Sequence, residues 1–173
     1  MIDKIHSSKS NEWYTPSHYI ELVREVFGVI DLDPASCERA NEIVKARAYY
    51  TKDFNGLNTS WIGNVFCNPP YGKINGKSSQ EIWLHKAQEE IDSGNAENII
   101  MLLNACVGDR WFRDVYDYPL CFCYERIKFV SPAGDRQQPT KGNVFVLLQL
   151  FEDDVKDRFC NTFRKVGRIV VNQ

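Results

Sequence analysis

Asn68-Pro69-Pro70-Tyr71 sets two hydrogen-bond acceptors beside an aromatic face. The Asn68 carboxamide brings one oxygen. Pro69 brings a carbonyl and has no N–H of its own, and Tyr71 brings a flat ring. That combination suits a planar group bearing an NH2, such as the exocyclic amine of a nucleobase. The apolar run 65–67 leads into the two prolines, which cannot continue a strand ladder, so a strand ends at Asn68. Four residues alone also fit a proline-terminated edge strand with a packed tyrosine.

A second loaded turn lies upstream, in Asp31-Leu32-Asp33-Pro34-Ala35-Ser36. A carboxylate at a strand tip accepts hydrogen bonds from a ribose or binds an ammonium group. Small residues after it let a ligand approach the backbone. The plainer use of Asp33-Pro34 is a helix-entry turn. Basic and amide residues suited to phosphates and base edges occur in two loops. These are Lys73 and Lys77 in 73–79, and Arg136, Gln137, Gln138 and Lys141 in 131–143. Solvated loops account for them equally well. Arg110 and Arg113 form a third set around Trp111, which reads more readily as core.

The elements that must position these residues follow from periodicity. Thr15 as N-cap and Pro16 at the first helical position open a helix whose apolar face is Tyr19, Ile20, Val23, Val26 and Phe27. Gly28 ends it. A strand at 29–32 and a helix over 38–48 follow. Loop 52–59, with Asp53, leads to the strand 61–67. Ser78 and Glu81 have capping-box spacing for a helix over 79–91. The continuous apolar run 98–103 is a strand buried on both faces. A short helix at 109–115 and a strand at 120–124 come next. The segments 127–130 and 144–150 read as a hairpin, 153–164 as a helix and 168–171 as a last strand. The alternation predicts a three-layer α/β sandwich with a mostly parallel sheet and an antiparallel hairpin in its C-terminal part. Residues 1–11 read as a flexible arm and 12–173 as one domain. In such sheets ligands bind outside the carboxyl ends of the strands, where both loaded turns fall.

Composition narrows the classes. A chain of 173 residues with 43% hydrophobic content has room for one domain with a real core. Net charge is −2, so any nucleic-acid contact must be local. No apolar run approaches the ~18 residues of a membrane span. The polar N-terminus lacks a signal-peptide core, and a cytosolic protein is expected. None of the six cysteines forms a C-x-x-C pair, and His6, His18 and His85 are scattered. Zinc is not expected, and the thiols read as reduced core residues.

The order of the motifs is more specific than any of them. Thr15-Pro16, then 31–36, then Asn68-Pro69-Pro70-Tyr71 resembles the amino-methyltransferases of DNA. From Asn11 to about Leu150 the chain is similar to the phage-type Dam-like adenine-N6 methyltransferases. The segments that carry this are 12–16, 31–36, 49–51, 53–57, Trp61, 67–72 and Glu125-Arg126-Ile127-Lys128-Phe129.

The resemblance implies a Rossmann-like methyltransferase fold, an S-adenosylmethionine donor and a double-stranded DNA substrate in a bacterial host cell. It also implies methylation of N6 of adenine at specific sites, by a monomer or homodimer. Asn68, Pro69, Pro70 and Tyr71 match the family's catalytic turn. Thr15, Pro16, Asp31 and Asp33 match its cofactor side, to which Ala35, Ser36, Asp53 and Asn68 are added. Lys73, Lys77, Arg136, Gln137 and Lys141 are the expected DNA contacts. The glycine-rich loop common in methyltransferases is absent, with Ala35-Ser36-Cys37 in its place. The linker between the two turns is short enough to omit a strand of the standard sheet. The same tetrapeptide serves enzymes that act on RNA or on protein glutamine, and a relative that binds DNA without catalysis is a further alternative.

Overall fold

A computed structural model describes residues 13–134, 136–137, 140–151 and 154–172, with the backbone alone for 136 and 137. The expected arm at 1–11 lies outside the described residues, as does Gln138. The elements in chain order are α1 (Ser17–Phe27), β1 (Leu32–Asp33), α2 (Glu38–Val44), β2 (Ala48–Tyr49), β3 (Gly63–Cys67), β4 (Lys73–Ile74), β5 (Lys77–Ser78) and α3 (Ser79–Asp92). Then come β6 (Ala96–Asn104), a 3-10 helix (Arg110–Asp117), β7 (Leu120–Cys123), β8 (Phe129–Val130), β9 (Arg136–Gln137), β10 (Asn143–Gln149), α4 (Asp154–Phe163) and β11 (Gly167–Val170).

Seven strands form one sheet in the order β11-β7-β10-β6-β3-β1-β2. β2, β1, β3 and β6 are mutually parallel; β10 opposes both β6 and β7, and β11 opposes β7. The short linker carries only the two-residue β2, which is the sheet edge beside β1. Alternating residues of the central strands feed two cores. Val65, Cys67, Ile99, Met101, Leu103, Val144 and Val146 meet α3 and the 3-10 helix. Phe66, Ile100, Leu102, Phe145 and Leu147 meet α1 and α4. Residues 99–103 are completely buried. At roughly 1.5–3 kcal/mol per large apolar side chain, β6 is the centre of hydrophobic stabilisation. The helices lie on both faces, so the architecture is the expected three-layer, Rossmann-like sandwich.

Several local expectations are corrected. The segment 127–130 does not pair with 144–150. β10 is apolar on both faces and lies between β6 and β7, while β8 pairs with β9 and bridges Tyr14. The second helix stops at Val44 instead of continuing to 48. Lys45 turns left-handed (φ 53°), and the Asn41 side chain bonds both the N–H and the carbonyl of Ala46 (2.9 and 3.2 Å), releasing the chain into β2. Ser78 makes no side-chain cap bond on α3. Loop 73–79 contains the β4–β5 hairpin. Its turn residues, Asn75 (φ 50°) and Gly76 (φ 82°), are the Asn-Gly pair that such tight hairpins prefer. The first strand is shorter and later than expected, at Leu32–Asp33. α1 starts at Ser17, because Pro16 has an extended ψ of 142° and takes the cap position.

Candidate active site

Both loaded turns open at the carboxyl end of the parallel strands. β3 runs straight into Asn68, which is half-buried; Pro69 is buried and Pro70 exposed. The Asn68 carboxamide is held at both ends. Its Nδ2 donates to Thr15 Oγ1 at 3.2 Å, and its Oδ1 accepts from the Tyr71 hydroxyl at 3.4 Å. The Tyr71 ring stands edge-on to Phe129, with centroids 6.0 Å apart at 73°. Burial pushes the Tyr71 hydroxyl well above the ordinary phenol range, so it stays a neutral donor. Phe129 belongs to β8, whose Val130 exchanges two backbone hydrogen bonds with Tyr14 (2.8 and 3.1 Å). The N-terminal segment, the Asn68–Tyr71 turn and β8 thus form one wall.

Asp33 ends β1 and is 4% exposed. Desolvation drives its carboxyl up to about 7, and the Ala35 N–H (3.2 Å) and the Ser36 side chain offset only part of that cost. The Cys67 thiol, pushed up by burial and by the nearby Asp33, is neutral. Loop 51–60 lies on this turn. A Cβ on Gly56 would sit 2.1 Å from the Pro34 carbonyl oxygen, so only glycine permits the approach. The Gly56 carbonyl in turn accepts from Trp61 Nε1 at 2.8 Å. Asp53 is exposed in the same loop, and Ala35 and Ser36 are half-buried.

Asp31, expected on the cofactor side, has its carboxylate engaged by neighbouring protein groups. Its carboxylate takes the Asn64 N–H at 3.0 Å and pairs with Arg47 at 3.0 Å, clamping β1 to its neighbours. Gly63 leaves the room for it, since a Cβ there would come within 2.5 Å of Asp31 Oδ2. Thr15 carries no helix cap; its hydroxyl meets Asn68. The structure therefore brings together Thr15, Asn68, Pro69 and Tyr71, with Asp33 at the tip of the adjacent strand β1 and Ala35 and Ser36 in the turn after it.

The basic residues surround this end of the sheet. Lys73 and Lys77 are exposed on the β4–β5 hairpin, which starts one residue after Tyr71. Arg136 and Gln137 pair through their backbone with Val130 and Phe129. Lys141 is half-exposed, 3.2 Å from Cys106 Sγ and 3.6 Å from Asp109. Arg110 and Arg113 are exposed, and Trp111 is core, 8% exposed. All six cysteines are free. Among the described residues no cluster of His, Cys, Asp or Glu is disposed to hold a metal, and no helix is long and apolar enough to cross a membrane. The reading from sequence missed Phe129 as the Tyr71 neighbour and Gly56 as the close approach. Neither contact has a local sequence signature, whereas the Asn75-Gly76 turn does.

Comparison with known proteins places this geometry. The model of the family described as DNA N-6-adenine-methyltransferase (Dam) matches residues 3–165. No curated protein matches. Among solved structures the chain is similar to the 23S rRNA methyltransferase ErmE, at 10% identity over 85% of this chain and 75% of that one, with a TM-score of 0.46. That likeness is too slight to argue from. The family match runs through every segment that builds the wall around Asn68. The chain belongs to the DNA N-6-adenine-methyltransferase (Dam) family, whose methyl donor is S-adenosylmethionine.

Proposed function

We propose that this methyltransferase acts on N6 of adenine in double-stranded DNA. The observation that carries the reading is the Asn68 carboxamide, fixed beside the Tyr71 ring and the Pro69 carbonyl at the mouth of the sheet. No described residue donates to that carbonyl, which leaves it available to an amine. When bound, the cofactor supplies an electrophilic methyl carbon on a sulfonium centre, which departs as a neutral thioether. The protein's own residues fit such a group. Asp33 is a buried carboxyl compensated only by neutral donors, and a cationic ligand is its natural complement. Ala35 and Ser36 give a small-residue approach to it, and Pro16 and Asp53 are the further proposed cofactor contacts.

Asn68, Pro69 and Tyr71 handle the acceptor base. Flipping an adenine out of a duplex costs roughly a few kcal/mol. Stacking on Tyr71 offsets about 1–3 kcal/mol of that. The long hydrogen bond from Tyr71 to Asn68 Oδ1 is weak and readily replaced by an N6–H. The Pro69 carbonyl takes the second N6–H. With both protons held, the nitrogen lone pair is turned out of the ring plane toward the donor, so orientation does most of the work. The nitrogen gains the methyl group and, made acidic by it, gives up one of these protons to water. Lys73, Lys77, Arg136, Gln137 and Lys141 are the proposed DNA contacts around the pocket.

The test is transfer of radiolabelled methyl to unmethylated duplex DNA, followed by nucleoside analysis. The reading expects the label in N6-methyladenine. Label in RNA or protein, with none in DNA, overturns it.

A further inference from the structure

Thr15 has a place in the site that the motif order does not suggest. The motif order puts it with the cofactor, yet its hydroxyl contacts the acceptor-binding turn. Thr15 is 5% exposed, and its Oγ1 lies 3.2 Å from Asn68 Nδ2. The backbone around it is pinned on both sides. Tyr14 exchanges two hydrogen bonds with Val130, and the Pro16 carbonyl accepts from Tyr19 N–H at 3.1 Å as α1 begins. The β-branched side chain restricts its own rotamer. Its hydroxyl therefore meets Asn68 from a fixed point.

A carboxamide has two ends of opposite character, and a half-turn about its last torsion exchanges them. Only one orientation presents an acceptor to an amine. With Nδ2 bonded to Thr15, Oδ1 faces the Tyr71 side, where the base would stack. We propose that Thr15 is a positioning residue for the reaction, locking the Asn68 carboxamide with its oxygen toward the substrate amine. This rests on the proposed role of Asn68, not on which macromolecule carries the amine.

The experiment compares Thr15→Val, Thr15→Ser and Asn68→Ala on whichever acceptor the wild-type enzyme methylates. Single-turnover rates are measured alongside calorimetric cofactor affinity. Valine keeps the shape and removes the hydroxyl; serine keeps the hydroxyl. The expected result is a rate loss of roughly tenfold to a hundredfold in Thr15→Val, recovered in Thr15→Ser, with cofactor affinity within about threefold of wild type. If Thr15→Val weakens cofactor binding and leaves the saturated rate intact, the hydroxyl serves the cofactor and the proposal fails. It also fails if serine is as slow as valine, since packing and not the hydroxyl then matters. Should Thr15→Val fold poorly, Thr15→Ser decides: full rate and full cofactor affinity are expected, and a slowed serine variant overturns the assignment. Full activity in Asn68→Ala would instead remove the underlying reading of the turn.

Discussion

Asp33 makes the cofactor-free protein sensitive to pH in a direction its environment fixes. In the fold its carboxyl holds a proton up to about pH 7, against an ordinary value of 3.8. The native state therefore binds more protons than the unfolded chain between those values, and stability falls as pH rises through that window. Urea titrations of the cofactor-free protein should show this decline, and Asp33→Asn should flatten it. The cofactor should reverse the preference. Seated beside Asp33 as proposed, S-adenosylmethionine would favour the ionised carboxyl, so its affinity should rise by up to about tenfold per pH unit below 7 and level off above. An affinity independent of pH from 5.5 to 8 would show that no cation meets Asp33. At this scale the sequence was legible where a residue's place is local, as for Asp33 and Asn68, which stand at strand ends as expected. It was not legible for Asp31, whose partners are Arg47, just before β2, and Asn64 in β3, nor for Thr15, whose partner lies 53 residues away.

Loop 51–60 and the turn after β1 act as a unit, because Gly56 lets their backbones touch. Gly56→Ala would place a methyl group 2.1 Å from a carbonyl oxygen that cannot swing aside. The loop must lift, taking the Trp61 indole bond with it. A loss of about 1–3 kcal/mol is expected in thermal or urea unfolding, together with weaker cofactor binding. Unchanged stability would mean that the loop is not seated on the turn. Elements were legible in proportion to their length and periodicity. α1, α3 and β6 fall close to their expected positions, since each carries a long apolar pattern. β2 was missed because a two-residue strand has no period to detect, whereas the β4–β5 hairpin was missed although its Asn75-Gly76 turn is a local signal. The seat of β10 between β6 and β7 was also missed. Strand order depends on which neighbour buries each face, and its all-apolar sequence shows only that it is central.

A molecule with a net charge of −2 does not attract a polyanion as a whole. On the proposed reading, binding to duplex DNA comes from the edge that carries the Asn68–Tyr71 turn. Lys73 and Lys77 sit there, on a hairpin that directly follows Tyr71-Gly72 and is closed at its base by a backbone bond from Ser79 N–H to the Gly72 carbonyl (2.9 Å). The double variant Lys73→Ala/Lys77→Ala should weaken duplex binding and reduce the magnitude of its log–log salt slope by about 2. An unaltered slope would take the hairpin off the DNA. The fold class was legible from the strand–helix alternation, and so was the seating of the two loaded turns at the carboxyl ends of strands. The most direct test of the whole account is product formation on unmethylated duplex DNA by wild type and Asn68→Ala, with cofactor affinity measured in both. The account predicts N6-methyladenine from wild type, a loss of at least about a thousandfold in Asn68→Ala, and matched cofactor affinities. Undiminished N6-methyladenine formation by Asn68→Ala would contradict it.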